Sequence, residues 1–140
     1  MERRIEVFFY GLFMDADALR EKGLHPANPR HARVDGMALH LGARATLAPE
    51  RGGRVHGMVM SLMHAEIDQL YAEPSVAAYR AEPVMARLMD GGSVAALCFN
   101  LPAVPAGVRS NPDYAAKLRI VAKRLGLPES YIARIGSNSK

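Results

Sequence analysis

The sequence predicts a single domain that combines β-strands with α-helices. Its 140 residues are enough to enclose one hydrophobic core, and 49% of them are apolar against 23% charged, as in ordinary globular proteins. Segments rich in β-forming residues dominate the first hundred positions, whereas helical spacing of apolar residues dominates after residue 111. No repeat or linker divides the chain, so residues 1–140 are predicted to form one domain.

The first element joins a strand, a glycine and a helix. Residues 5–10 are almost all β-formers, which is typical of a buried central strand. Gly11 permits a close backbone approach, Asp15 is the predicted N-cap of a helix, and Gly23 is its predicted end. Such a junction leaves the N–H groups of residues 11–14 free for an anion or oxyanion, although a plain connection that binds nothing is the alternative.

Turn signals separate the strands of the next segment. Two prolines and an asparagine predict a loop, a Gly-Gly pair predicts a turn, and Gly36 suggests a bulge. Residues 54–62 carry apolar side chains on both faces, which predicts a strand buried on both sides. The predicted order is a loop at 24–29, a strand at 32–41, an extended stretch at 42–49, a turn at 50–53 and a strand at 54–62.

Glu73 lies at the exit of a predicted short helix, residues 64–71. Pro74 ends that helix, because the residue before a proline is disfavoured in helical geometry. Glu73 is thus held in extended conformation near Leu70, Val76 and Tyr79. A carboxyl group beside apolar side chains can act as a general acid and base, whereas the alternative is a solvated glutamate at a helix end.

A hairpin and two helices complete the chain. Asp90 and the glycine pair after it predict the hairpin turn, and Asn111 with Pro112 predicts a helix start. The predicted order is a strand at 79–89, a strand at 93–101, a loop at 102–107, a helix ending at Gly126, a short helix from Pro128 and a polar tail at 136–140.

Composition argues against several kinds of site. Cys98 is the one cysteine, so no internal disulfide is possible, and its apolar surroundings in the sequence favour a core position over a nucleophile. The five histidines do not have the spacing of a zinc site, and no phosphate-binding or dinucleotide fingerprint is present. No metal and no cofactor are therefore expected.

Charge and hydropathy limit the partners. The net charge is +4 and the pI is about 9.5, but the basic residues are scattered and are not interleaved with aromatic residues. No apolar run approaches the roughly 18 residues of a membrane span, and no signal peptide is recognisable. We expect neither a nucleic-acid nor a membrane partner, and a cytoplasmic location.

Several short motifs, taken in order, resemble the γ-glutamylcyclotransferase-like family. The matching segments are FYGLFM at 9–14, RVHGMV at 54–59, LYAE at 70–73, YRAEPV at 79–84, NPDY at 111–114 and LGLPESY at 125–131. The resemblance implies an α+β fold in which a mixed, partly closed β-sheet, a small barrel, surrounds a pocket with flanking helices. It also implies a cofactor-independent reaction, in which the α-amine of a γ-glutamyl amide attacks its own γ-carbonyl and releases 5-oxoproline with an amine or amino acid.

The resemblance also assigns residues to the site. Glu73 stands where the family has its catalytic glutamate and would move the proton from the attacking amine to the leaving nitrogen. Glu82 is the second choice for that role. The residues expected to bind the γ-glutamyl substrate are Tyr10, Gly11, Leu12, Phe13, Met14, Tyr79 and, as a carboxylate partner, Arg44.

Two departures from the family leave the function open. The family loop usually reads Tyr-Gly-Ser-Asn, whereas Leu12 and Phe13 follow Gly11 here. The helix exit usually reads Leu-Asp-x-x-Glu-Gly, whereas here Leu70 is followed by Tyr71, and Glu73 by a proline. One hypothesis is therefore a cyclotransferase with a more apolar substrate. The other is a non-catalytic pocket protein that binds a small carboxylate-bearing ligand or a protein partner, and other amide chemistry such as hydrolysis is a third.

Overall fold

Five strands and four α-helices make up the described part of the chain. The computed structural model describes residues 3–42, 44–103 and 111–135, so the predictions for residues 104–107 and for the tail lie outside it. The elements are β1 (Arg4–Phe9), α1 (Ala16–Glu21), β2 (Ala27–Leu41), β3 (Ala45–Met63), α2 (His64–Leu70), β4 (Arg80–Leu88), β5 (Ser93–Asn100), α3 (Pro112–Leu125) and α4 (Glu129–Arg134). A short 3₁₀ turn, Leu12–Met14, lies between β1 and α1.

The strands close into a barrel in the order β1-β3-β2-β4-β5. Neighbouring strands are antiparallel except β1 and β5, which pair in parallel where Val7 meets Leu97 and Phe8 meets Cys98. Strand β1 thus has a neighbour on each side, and its residues from Val7 to Phe9 are at most 3% exposed. The predicted α+β fold with a mixed sheet closed into a small barrel is confirmed.

Strand β2 begins earlier than predicted. The expected loop at 24–29 is wrong in its second half, because β2 starts at Ala27. Between the pairs Ala27–Ser61 and Arg30–Val59, two residues of β2 face one residue of β3. This bulge accommodates Pro29, which has no N–H to donate, and Asn28, whose φ is 54°. Pro29 therefore lies in a bulge within strand β2 and does not end the strand.

The predicted turn at 50–53 is also wrong. Asp35 pairs with Arg54 and Met37 pairs with Pro49, so residues 50–53 form a large bulge within β3 opposite a single residue of β2. Strands β2 and β3 are instead joined between Leu41 and Ala45, where the Gly42 N–H donates to the Arg44 carbonyl at 3.2 Å. This places Arg44 at the tip of the hairpin.

The helix ends agree with the predicted signals. The Asp15 side chain accepts a hydrogen bond from the Asp17 N–H at the start of α1, and the Asn111 side chain accepts from the Tyr114 N–H at the start of α3. Gly126 follows α3 with φ of 83°, a left-handed conformation that favours glycine. An ion pair between Arg124 and Asp15 ties the end of α3 to the start of α1.

Candidate ligand pocket

A cavity of about 270 Å³ opens beside the carboxyl end of β1. Its wall comes from the end of β1 with the turn after it, the tip of the β2–β3 hairpin, the segment after α2, the end of β5 and the start of α3. Of the residues expected to bind substrate, the wall contains Tyr10, Gly11, Leu12, Phe13, Tyr79 and Arg44. Met14 is not in the wall, because its side chain is buried in the core and is 1% exposed.

The turn after β1 offers fewer free N–H groups than the sequence suggested. The Met14 N–H donates to the Gly11 carbonyl at 3.0 Å, and the Leu12 N–H donates to the Tyr114 hydroxyl at 3.2 Å. Within the described residues, the N–H groups of Gly11 and Phe13 have no acceptor. Of the four N–H groups of residues 11–14 that were expected to bind an anion, only those of Gly11 and Phe13 are therefore left as donors.

Gly11 is required by contact rather than by its dihedral angles. Its φ of −107° is open to any residue. A Cβ atom at this position, however, would lie 2.6 Å from the Tyr114 hydroxyl oxygen, closer than real Cβ contacts. The absence of a side chain thus lets α3 approach the turn, and the Tyr114 hydroxyl closes this side of the cavity.

Aromatic rings form most of the cavity wall. Tyr71 stacks on Phe99 with 4.0 Å between ring centroids and an interplanar angle of 13°. Phe13 meets the Tyr71 ring edge to face at 6.3 Å and the Phe9 ring at 6.5 Å. Tyr79 lies 6.3 Å from Tyr71 on the other side. These contacts hold Tyr71 in the middle of a continuous aromatic surface.

The tyrosines of the wall are neutral at physiological pH. Burial raises the pKa of Tyr10 and of Tyr71 well above the usual value, and burial raises that of Tyr79 to about 12. The Tyr10 hydroxyl donates to the Phe99 carbonyl at 2.7 Å, and the Tyr79 hydroxyl donates to the Ala45 carbonyl. The Tyr71 hydroxyl has no partner among the described residues, so it remains available to a ligand.

Arg44 supplies the positive charge of the wall. Its side chain is exposed at the hairpin tip, and no described carboxylate lies within ion-pair distance of it. The described wall contains no aspartate or glutamate. A bound molecule would therefore meet a cation and aromatic rings, and this combination favours an anion with an apolar part.

Glu73 lies outside the cavity wall, contrary to the expectation that it faces the turn after β1 across the cavity. Its carboxylate accepts from the Lys22 ammonium at 3.0 and 3.2 Å, and its side chain is 40% exposed. Lys22 in turn lies over the Phe13 ring, 5.7 Å from the ring centroid. The role of Glu73 in catalysis stays a prediction, and in this arrangement its carboxylate is engaged by a lysine.

Tyr71 occupies the place in the wall where an acid was expected. Helix α2 ends at Leu70, and the next residue turns its ring into the cavity. If the family pattern Leu-Asp-x-x-Glu-Gly is counted from Ile67 and Asp68, its glutamate position falls on Tyr71 and its glycine position on Ala72. Counting from Leu70, as the sequence suggested, reaches Glu73 only with an interval one residue shorter than in the family pattern, so Asp68 was the signal for the alternative alignment.

The other carboxylates near the barrel have structural partners. Glu66, 6% exposed, accepts from the Met63 N–H at 2.8 Å and from the His25 N–H at 2.6 Å, so it caps α2. Glu82 accepts from the Asn100 amide at 2.7 Å and is not part of the cavity wall. Neither residue can act on a molecule in the cavity from this position.

Other kinds of reactive site are not evident in the described ranges. Three or more His, Cys, Asp or Glu side chains do not converge there in a way that could hold a metal ion. Cys98 is fully buried, and burial raises the pKa of its thiol to about 12, so the thiol stays protonated. No described helix combines the length and apolarity needed to cross a membrane.

Comparisons with known proteins place the barrel in a known family. Its overall fold is similar to that of a solved gamma-glutamyl cyclotransferase (TM-score 0.83, 18% identity, 96% of this chain and 88% of that one). It is also similar to an uncharacterised protein of Homo sapiens (TM-score 0.82, 18% identity, 97% and 88% of the two chains) and to YkqA from Bacillus subtilis (TM-score 0.75, 20% identity, 95% and 53%). No match was found among curated proteins. The family model described as gamma-glutamyl cyclotransferase, AIG2-like, matches residues 7–116, and the chain therefore belongs to this family.

Proposed function

We propose that this protein binds a small γ-glutamyl compound in the cavity beside β1. The observation that carries the proposal is the charge of the cavity wall, in which Arg44 is accompanied by aromatic rings and by no described carboxylate. A γ-glutamyl group has an α-carboxylate that can pair with a guanidinium. The N–H groups of Gly11 and Phe13 would donate hydrogen bonds to the remaining oxygen atoms.

Cyclisation of the bound γ-glutamyl group is the second candidate function, and the match to the gamma-glutamyl cyclotransferase family model favours it. Glu73 pairs with Lys22, and the Lys22 ammonium nitrogen lies 5.7 Å from the ring centroid of Phe13, a residue of the cavity wall. In the reaction, the α-amine nitrogen bonds to the γ-carbonyl carbon and the amide C–N bond breaks. One proton passes from the amine to the leaving nitrogen, and Glu73 would carry it once the ion pair with Lys22 opens.

Binding and turnover can be measured separately with one γ-glutamyl dipeptide. We expect calorimetry to show binding to the wild-type protein and a loss of about 10- to 100-fold in affinity for Arg44→Gln, the usual effect of removing a charge-assisted hydrogen bond. Arg20→Gln is the matched control, because Arg20 is an exposed arginine of α1 that pairs with Asp17 outside the cavity. No binding by the wild type, or equal losses in the two variants, would refute the proposal.

Mass spectrometry of 5-oxoproline then decides between binding alone and turnover. If the protein is a cyclotransferase, the wild type releases 5-oxoproline and Glu73→Gln loses about two to four powers of ten in rate while its affinity stays unchanged. Because the Glu73 ion pair is partly exposed, this substitution should change the free energy of unfolding by less than about 1 kcal/mol. Binding without 5-oxoproline identifies a non-catalytic pocket protein, and turnover that survives Glu73→Gln removes Glu73 from the mechanism.

A further inference from the structure

We infer that the ligand carries a flat apolar group beside its γ-glutamyl part, and that Phe13 and Tyr71 select this group. The inference rests on the proposed function and specifies the class of compound. It follows from the aromatic surface of the cavity and from the way in which the neighbouring polar atoms are already used.

The aromatic part of the cavity wall offers more apolar surface than the short aliphatic chain of a γ-glutamyl group would cover. Tyr71 presents its ring between Phe99, Tyr79 and Phe13, and Phe13 also contacts Phe9. Phe13 and Tyr71 are only partly buried by the protein, so a ligand can cover their remaining surface. Apolar surface removed from water in this way stabilises a complex, and ring contacts add to it when the ligand group is aromatic.

Two hydroxyl groups of the wall are already used within the protein. The hydroxyls of Tyr10 and Tyr79 donate to the backbone carbonyls of Phe99 and Ala45. Leu12, which continues the rim next to Phe13, has an apolar side chain. The positive charge of Arg44 comes from the hairpin tip, a different segment from the turn and the helix exit that provide the rings. We therefore assign the carboxylate of the ligand to Arg44 and its apolar group to the rings of Phe13 and Tyr71.

The size of the cavity points to a compact compound. At about 270 Å³ it is just below the range of roughly 300 to 1,000 Å³ that is usual for small-molecule sites. A γ-glutamyl group with one ring fits this volume better than an extended peptide does. The leaving amine of a γ-glutamyl amide is the natural position of the ring, because it lies opposite the α-carboxylate along the molecule.

Three amides of γ-glutamate test the inference: the methylamide, the cyclohexylamide and the anilide. We expect the anilide to bind the wild-type protein about tenfold or more tightly than the methylamide by calorimetry, with the cyclohexylamide in between. In Phe13→Ser and in Tyr71→Leu the preference for the anilide should fall to about threefold or less. Ile120→Ser is the control and should keep it, since Ile120 is an exposed residue of α3 outside the cavity.

The outcomes separate this inference from the proposed function. If the methylamide and the anilide bind equally well, the inference is wrong while the proposed function stands. If the anilide and the cyclohexylamide bind equally well, the selection of a flat group is wrong. If none of the three amides binds, both the inference and the proposed function fail. Because the two variants alter different segments, a preference that survives in both would also overturn the roles given to Phe13 and Tyr71.

Discussion

The Tyr114 hydroxyl holds the turn after β1 through one hydrogen bond and one close approach. The hydroxyl oxygen accepts a hydrogen bond from the Leu12 N–H at 3.2 Å. A Cβ atom added at residue 11 would lie only 2.6 Å from the same oxygen. The next Tyr114 atom, Cζ, would be 3.9 Å from that Cβ, an ordinary contact. The requirement for glycine at position 11 therefore comes from a single oxygen atom on α3.

This dependence predicts a coupled pair of substitutions. Gly11→Ala should lower the free energy of unfolding by about 1 to 3 kcal/mol, because either the turn or α3 must shift. Tyr114→Phe should cost about 1 kcal/mol through the lost acceptor for Leu12. In the Y114F background, Gly11→Ala should cost well under about 1 kcal/mol, since the clashing oxygen is gone. Urea unfolding of the four proteins gives the coupling energy, and equal costs of Gly11→Ala in both backgrounds would contradict this account.

Tyr71 and Glu73 both follow helix α2 closely, but their side chains lie in different surroundings. Residue 71 follows α2 directly and packs on Phe99 in the cavity wall. Two residues later the chain presents Glu73 to Lys22 on α1's C-cap position, outside that wall. The helix-exit pattern predicted a carboxylate in the cavity wall. The structure has the Tyr71 ring there, and the Glu73 carboxylate lies outside the wall. A carboxylate in the wall would need a different path for residues 71–73.

At the scale of elements, Asp35 connects three strands on the outside of the barrel. Its carboxylate lies 3.0 Å from Arg33 Nε on β2, 3.5 Å from Arg54 Nε on β3 and 3.4 Å from Arg87 Nε on β4. The hydrogen bond from Arg33, followed by the charges of the three arginines, holds the pKa of Asp35 below its usual value of 3.8. Without this carboxylate, three guanidinium groups on adjacent strands would repel one another.

The lowered pKa gives the stability a defined pH dependence. Because the folded state favours the ionised carboxyl, the stabilisation is complete above the ordinary pKa and is lost as the pH falls through the lower folded-state value. Asp35 is 43% exposed, so solvent screening limits the effect to about 1 kcal/mol or less. Asp35→Asn should therefore be less stable than the wild type at neutral pH by up to this amount, and the two should converge as the pH falls through the lowered folded-state pKa of Asp35.

The prediction is checked by measuring the free energy of unfolding with urea from neutral pH into acid, with Asp90→Asn as the control. The Asp90 side chain accepts one hydrogen bond from the Gly92 N–H in the hairpin turn, which an asparagine oxygen can also accept. Asp90→Asn should therefore stay close to the wild type at every pH. A difference between Asp35→Asn and the wild type that persists unchanged into acid would show that the carboxylate charge is not responsible.

At the scale of the whole molecule, local signals predicted the elements but not how they meet. Asp15, Asn111 and Gly126 were read correctly, because a helix cap is determined by the few residues around it. The bulge at Pro29 and the four-residue bulge at 50–53 were missed, because each depends on which residue of the neighbouring strand lies opposite. The same sequence features, a proline and a glycine pair, mark either a loop or a bulge, and the partner strand decides between them.

For the site, too, the sequence predicted which segments take part but not how their side chains meet. The turn after β1 was identified from its strand, glycine and helix signals, and its residues 11–13 are in the cavity wall together with Arg44. The position of Glu73 could not be derived, because the direction of a side chain after a helix end depends on packing against β5 and on the ion pair with Lys22. Burial and ion pairs between distant segments are properties of the fold, and a linear pattern does not contain them.

Closure of the barrel depends on the contact between β1 and β3 at Gly57, which makes that glycine the sharpest test of the architecture. A Cβ there would lie 2.1 Å from the Phe9 carbonyl oxygen and 3.1 Å from Phe8 Cζ, so β1 would have to move away from β3. Since β1 also pairs with β5 and leads into the cavity turn, Gly57→Ala should lower the free energy of unfolding by about 3 kcal/mol or more. Gly92→Ala is the control: its Cβ would make only ordinary contacts, the nearest at 3.5 Å, and it should stay within about 1 kcal/mol of the wild type. If urea unfolding gave the two variants the same stability, strand β1 would not be packed against β3 as closely as this barrel requires.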